Sequence, residues 1–334
     1  MLDGLPLPRI ALLRGPTPVV ELHRGLWAKR EDEAGSGLYG GNKVRKLEWL
    51  LGRVQAAGGD ILTVGPAGSH HVLATAVYAR SVGMRVHAVL WPQRDSPHAR
   101  ETLRAIHATV EHVRAAPSVL GVGPVWARQY AALRLFGGFP PAIIPAGGSD
   151  PAGCLGWVAA GMEIAAQVDA GELPPPNRVY LPVGTGGTAA GLWVGLALGG
   201  LRVEVVGVDV GGATIAGYDA AFTGEAMVRL LAARVTRRLE GWGIGRVKRG
   251  PLRIIRRPGY AAQTPDVDEG IRAGVAFGLP MEPTYTAKTL AVAMAEASLG
   301  GSALYIHTAN GRPMAPLLAS ALPEVPQSLR GLLG

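Results

Sequence analysis

Two rhythms of apolar and polar positions alternate along the chain. Short apolar, β-branched runs at 27–30, 60–64, 85–90, 110–113, 142–145, 178–183, 202–208 and 303–307 read as strands. Between them lie segments with helical spacing. In 42–57 the residues Val44, Leu47, Leu50, Leu51 and Val54 share one face, and further helices are predicted over 70–82, 97–108, 124–136, 155–168, 189–198, 225–239, 266–277 and 286–297. Glycine and proline fall at the ends of these segments, as with Gly171 and the Pro174–Pro176 run after the helix at 155–168. Strands that alternate with helices predict an α/β fold with largely parallel sheets.

Composition adds few constraints. A chain of 334 residues with 48% hydrophobic and 17% charged residues is long enough for two α/β lobes that share one cleft. Every apolar run is broken well before the ~18 residues a membrane span needs, so no membrane partner is expected. Residues 1–14 carry charges and two prolines where a signal peptide would be continuously apolar, which makes the cytoplasm the expected compartment. Cys154 is the only cysteine. It excludes an intrachain disulfide and a cysteine zinc site, and with no base nearby in sequence it reads as a buried structural thiol.

The net charge of +8 invites a nucleic-acid reading. Most of the arginines, however, stand singly among apolar residues. The one dense group, Arg246, Lys248, Arg249, Arg253, Arg256 and Arg257, has no interleaved aromatics to stack on bases, and reads as a solvated or anion-attracting surface. No nucleic-acid partner is expected. Only five lysines occur, Lys29, Lys43, Lys46, Lys248 and Lys288.

Three turns combine a strand, small residues and a following helix, the arrangement that aims backbone N–H groups at an anion. Gly184, Thr185, Gly186, Gly187 and Thr188 form the best phosphate candidate. They lack the Lys-Ser/Thr of a Walker loop and the spacing of a dinucleotide fingerprint, and packing alone explains many such turns. Gly40-Gly41-Asn42-Lys43-Val44-Arg45-Lys46 places Lys43 in a first helical turn, whose positive field favours a neutral amine, and Lys46 one turn later within reach of a phosphate; an ordinary basic helix start has the same spacing. Gly68-Ser69-His70-His71 offers Ser69 as a plain N-cap, or else a cradle for a substrate carboxylate with Ser69 or a histidine moving protons. Adjacent histidines point apart, and no metal site is expected.

Taken together, these motifs resemble the 1-aminocyclopropane-1-carboxylate (ACC) deaminase and D-cysteine desulfhydrase family of fold type II pyridoxal 5′-phosphate enzymes, related to the tryptophan synthase β-subunit. The likeness spans nearly the whole chain. It runs through Pro16-Thr-Pro-Val, Trp27-Ala-Lys-Arg-Glu-Asp, the lysine motif at 40–48, Gly147-Gly-Ser-Asp-Pro, the glycine turn at 184–192, Glu282-Pro-Thr-Tyr-Thr-Ala-Lys and Ile306-His-Thr, all in family order.

The resemblance implies a two-domain architecture with parallel-rich sheets, a large cofactor domain of 1–53 and 161–334, and a small domain of 54–160. It makes Lys43 the Schiff-base lysine and gives the phosphate to Lys46 with Gly184–Thr188. Ser69, Tyr285 and Tyr260 become catalytic side chains, and Thr308 the neighbour of the ring nitrogen. Ser69, His70, His71 and Tyr285 would line the substrate, and Lys288 would be structural. It further implies a homodimer acting on a small amino acid. Thr286 after Tyr285, where the deaminase branch has Glu, favours β-elimination from a D-cysteine-type substrate to a 2-oxo acid and ammonia. ACC deamination, β-replacement and a catalytically altered binding homologue are the alternatives. Two departures stand out. The family's Gln-Ser-Asn-His turn reads Gly68-Ser69-His70-His71 here, which puts His70 beside the cofactor ring, and its His-Thr-Gly-Gly ending reads His307-Thr308-Ala309-Asn310.

Overall fold

The computed structural model describes residues 4–35, 37, 39–137, 140–210, 214–215, 218–219, 224–257, 259, 264–297, 300–318 and 324–334. Two sheets organise the chain. The larger contains β1 (Val19–His23), β2 (Leu26–Lys29), β7 (Arg178–Val183), β8 (Glu204–Asp209), β11 (Leu252–Arg256) and β12 (Ala303–Ile306) in the order β1-β2-β12-β7-β8-β11. It is parallel throughout except for the hairpin β1–β2. The smaller contains β3 (Ile61–Pro66), β4 (Val86–Trp91), β5 (His112–Ala115) and β6 (Ala142–Ile144) in the order β5-β4-β3-β6, all parallel. A two-residue pair, β9 (Thr214–Ile215) with β10 (Tyr218–Asp219), is separate. Parallel strands need covered faces, and the buried runs Arg178–Val183 and Glu204–Asp209 supply the apolar side chains for it.

Three helices join the halves. α1 (Lys43–Ala57) turns Val44, Leu47, Leu50, Leu51 and Val54 into the core of the small sheet, while Trp49 faces the core of the large one. α5 (Pro151–Asp169) packs on α1 and on α6 (Gly187–Leu198). That contact depends on missing side chains: a Cβ on Gly195 would lie 2.2 Å from the Val158 carbonyl oxygen, and one on Gly156 would lie 1.9 Å from that of Arg45. Cys154 sits inside this seam, fully buried, and burial pushes its thiol up to about 12.

The alternation of elements matches expectation, with instructive exceptions. α5 begins four residues before the predicted start, because Asp150 accepts the Gly153 N–H at 2.7 Å and Pro151 fits the first turn. β1 and β11 were not anticipated. β11 lies within the basic cluster, which is only partly the solvated surface its sequence suggests. Arg253 pairs with Glu204 at 3.0 Å and Glu296 at 2.6 Å, and the Arg249 guanidinium lies 4.5 Å from the Trp193 ring centre. Among the described residues no helix is long and apolar enough to cross a membrane.

Candidate active site

The turns that lead into α1, α2 (His70–Ser81) and α6 line one cavity of about 780 Å³, together with the start of α9 (Thr286–Ala297) and the segment after β12. α2 follows β3 and α6 follows β7, so the cavity collects the carboxyl ends of strands from both sheets, the usual position for ligands in open α/β folds. Lys43, Lys46, Ser69, His70, His71, Gly184, Thr185, Gly186, Thr188, Tyr285 and Thr308 all line it. Gly187 adjoins it beneath Lys46. Tyr260 lies outside the described residues.

Lys43 is the first residue of α1. The turn before it requires glycine. Gly41 has φ +87, and a Cβ there would come within 2.5 Å of the Ala309 carbonyl oxygen. The Lys43 ammonium donates to Asn42 Oδ1 at 2.8 Å. Burial, then the charge of Lys46, pushes its pKa down to about 7, against a smaller upward pull from Glu282. A lowered value was expected from the helix end; burial is its leading cause.

Lys46, one turn on, donates to the Gly147 carbonyl at 2.9 Å and to Ser149 Oγ at 3.2 Å, and burial lowers it to about 8. Ser149 Oγ in turn shares a proton with Thr185 Oγ1 at 2.6 Å. A Cβ on Gly187 would sit 3.0 Å from Lys46 Nζ and 2.5 Å from Ser149 Oγ. Gly186, at φ +80, lets the chain enter α6 with its first N–H groups bare of side chains. A cation, two hydroxyls and a helix N-terminus thus converge on one spot, an anion cradle.

Opposite the cradle, Ser69 caps α2 by accepting the Val72 N–H at 3.3 Å. His70 bonds through Nδ1 to the Tyr39 hydroxyl and through Nε2 to His98 Nε2 at 2.5 Å, and burial lowers its pKa to about 3. His71 is turned to Thr63 Oγ1 at 3.1 Å, and burial holds it well below the usual histidine value. Tyr285 lies against the glycine turn: a Cβ on Gly184 would be 3.2 Å from its ring. Thr308 is nearly buried, and its carbonyl accepts the Asn42 N–H. Lys288 stands away from the cavity wall and donates to the carbonyls of Arg257 and Gly259 at 3.2 and 2.7 Å.

Three lining residues, Glu282, Asn310 and Tyr39, were given no role by the sequence reading. Glu282, the sole acidic residue among the described lining residues, accepts the N–H groups of Thr284, Tyr285 and Thr286 at 2.9, 2.7 and 2.6 Å. An acid ahead of an apolar helix is a readable N-cap signal. Thr286, fully buried, receives the Glu282 N–H at 3.0 Å. Asn310 accepts the Gly40 N–H at 2.7 Å, and Tyr39 reaches the cavity from the loop before α1. Neither carries a local sequence signal.

An amine of lowered pKa beside an anion cradle, between two largely parallel sheets, is an arrangement that fits a phosphate-bearing cofactor. The family described as "Pyridoxal-phosphate dependent enzyme" matches residues 10–308, and the chain belongs to that family. It is 34% identical over 330 residues to nocardicin C-9′ epimerase of Nocardia uniformis subsp. tsuyamanensis, covering 96% of this chain and 98% of the relative. It is 29% identical over 345 residues to D-cysteine desulfhydrase of Salmonella schwarzengrund, with 95% and 97% covered. A crystal structure of an ACC deaminase homologue superposes with a TM-score of 0.77 at 28% identity, covering 95% and 98%. The protein is therefore a pyridoxal-phosphate enzyme of fold type II, as its sequence implied. The residues present fit the cofactor, since the cradle takes a phosphate and Lys43 supplies an amine close to neutrality.

Proposed function

We propose that this enzyme eliminates a β-substituent from a small amino acid of the D-cysteine type, releasing a 2-oxo acid and ammonia. The observation that carries this reading is the shared placement of Lys43 and the Lys46 cradle in one cavity, with Lys43 held near neutrality. Pyridoxal phosphate, when bound, supplies an electron sink conjugated to the substrate nitrogen. Lys43 would hold the cofactor, and Lys46 with Gly184–Thr188 would hold its phosphate. Thr308, on the cavity wall, would offer the ring nitrogen a hydroxyl and no full charge.

As a free amine, Lys43 would have the basicity to take the α-proton at neutral pH. Ser69 and the first N–H groups of α2 orient the substrate carboxylate. Tyr285, beside the cradle, hands a proton to the departing group. His70 and His71 complete the wall on the substrate side. Thr286 supports this branch because its hydroxyl is spent on the Glu282 backbone, leaving Glu282 as the cavity's carboxylate. In this reading 1–53 with 161–334 form the cofactor domain, 54–160 the small domain, and the enzyme works as a cytoplasmic homodimer.

A second reading, epimerisation, is favoured by the 34% identity to an epimerase. It needs the same removal of the α-proton, followed by its return on the other face. A screen of cofactor-loaded protein separates the two. Pyruvate from D-cysteine or β-chloro-D-alanine supports elimination, 2-oxobutyrate from ACC supports ring opening, and deuterium uptake with inversion but no oxo acid supports epimerisation. Failure to form any oxo acid from the three substrates would overturn the elimination reading.

A further inference from the structure

His70 does not end at the cavity wall. Its Nδ1 meets the hydroxyl of Tyr39, and its Nε2 meets Nε2 of His98, the second residue of α3 (Pro97–Thr109), at 2.5 Å. The two imidazole centres are 4.7 Å apart with planes 29° apart, so the rings meet edge to edge, nitrogen to nitrogen. Tyr39 and His70 line the main cavity. His70 and His98 also line a second chamber of about 90 Å³, whose wall includes Glu101, Glu282 and Arg312. That volume has room for water. The three side chains therefore run from one chamber to the other.

We infer that Tyr39, His70 and His98 form a proton relay that delivers a solvent-derived proton to the substrate's α-carbon, the return step of the epimerisation reading and not a step of β-elimination; this rests on the cavity being the pyridoxal-phosphate site. Two hydrogen-bond arrangements satisfy the chain, and they differ only in proton position. In one, His98 enters as imidazolium and donates from Nε2 to His70, which donates from Nδ1 to Tyr39, leaving the phenol hydrogen for the cavity. In the other, Tyr39 donates to His70 Nδ1 and His70 donates from Nε2 to a neutral His98 that keeps its Nδ1 proton. Passage from the first to the second forms a C–H bond with the α-carbon's electron pair. Tyr39 gives up its proton and takes that of His70, and His70 takes that of His98. One proton leaves His98, one reaches carbon, and no electrons are gained or lost. His98 is then recharged from the outer chamber.

The groups around the relay fit this direction of travel. Burial keeps the Tyr39 phenol well above its ordinary value, so it carries its proton between events. His70 is kept uncharged by burial, by His98 and by Lys43, as a conduit between two donors should be. Glu101 and Glu282 line the outer chamber beside His98. Lys43 is a separate base on the inner side, so removal and delivery of protons need not share a group. His98 touches neither substrate nor cofactor and acts through His70, which makes it a positioning residue for proton delivery.

The test uses pyridoxal-phosphate-loaded, 15N-histidine-labelled protein, with L- and D-alanine in D2O as probes that cannot eliminate. The nitrogen spectrum is expected to show one coupled pair of Nε2 atoms sharing a proton, lost in His98→Gln. Deuterium entry at the alanine α-carbon is expected to fall about a hundredfold in His98→Gln, with cofactor absorbance retained. Added imidazole should restore exchange in His98→Gly. Full-rate exchange in His98→Gln, a holoenzyme that exchanges neither isomer, or the absence of a coupled nitrogen pair each overturns the relay. A protein that takes up no cofactor on Lys43 overturns the functional reading instead.

Discussion

Lys43, Arg45 and Lys46 lie within four residues on the first turn of α1, yet they meet opposite environments. Arg45, 1% exposed, is clasped by Glu31 at 2.7 Å and Glu163 at 2.9 Å, within a network that also holds Lys29 and Thr17. Those carboxylates hold its guanidinium above the ordinary arginine range. The two lysines face the cavity and make no ion pair among the described residues: Lys43 donates to an amide oxygen, and Lys46 to a carbonyl and a hydroxyl. Buried without an anion, both are pushed down, to about 7 and about 8. The difference separates a charge paired within the fold from charges left facing the cavity. Glu48, on the same helix, belongs with Arg45, since it caps the N-terminal segment through Arg9 and the N–H of Leu12.

Substitutions should split along that line. Lys43→Ala is expected to lower turnover about a thousandfold or more while leaving the unfolding midpoint unchanged or raised, read from kinetics and denaturant titration of one preparation. Arg45→Met should do the reverse. It strands Glu31 without its cation, leaves Glu163 with Lys29 alone, and should cost about 3–5 kcal/mol of stability, measured by urea unfolding. A fully stable Arg45→Met would erase the distinction.

Lys46→Met removes a charged donor from the cradle. It should weaken pyridoxal-phosphate binding about 10–100-fold, read by absorbance titration. pH sharpens the comparison further. The folded Lys43 has a pKa of about 7 against 10.5 for an ordinary lysine, so below pH 7 both states are protonated and the burial penalty is present in full. Between about 7 and 10.5 the unfolded chain binds more protons, so stability should rise with pH across that window. The stability advantage of Lys43→Met over the parent protein, both without cofactor, should therefore shrink as pH increases, in denaturant titrations at stepped pH.

The smallest effect is expected from Glu282→Gln. Losing a charged cap on α9 costs about 0.5–2 kcal/mol. Because the Glu282 charge raises Lys43, its removal should also move the pH midpoint of cofactor attachment below that of the parent.

Much of this was legible in the sequence because it is local. Periodicity gave the helices and most strands, and the glycine turns at 40–41 and 184–187 marked close backbone approach, which the positive φ of Gly41 and Gly186 explains. The fate of each charge was not legible. Nothing in the spacing of Lys43, Arg45 and Lys46 says which meets Glu31 and Glu163, because those partners come from a short 3-10 turn (Glu31–Glu33) and from α5. β11 was hidden because its arginines find partners only in the folded sheet. Tyr39 and His98 were missed for a related reason: each reaches His70 across about 30 residues of chain, and neither sits in a motif.

The central claim is that Lys43, and not its neighbour, is the amine that carries the cofactor. Borohydride reduction of protein incubated with pyridoxal phosphate, followed by peptide mass mapping, tests it most directly. The account predicts a phosphopyridoxyl group on Lys43 in stoichiometric yield. A label on Lys46 or Lys288, or no label at all, would contradict it.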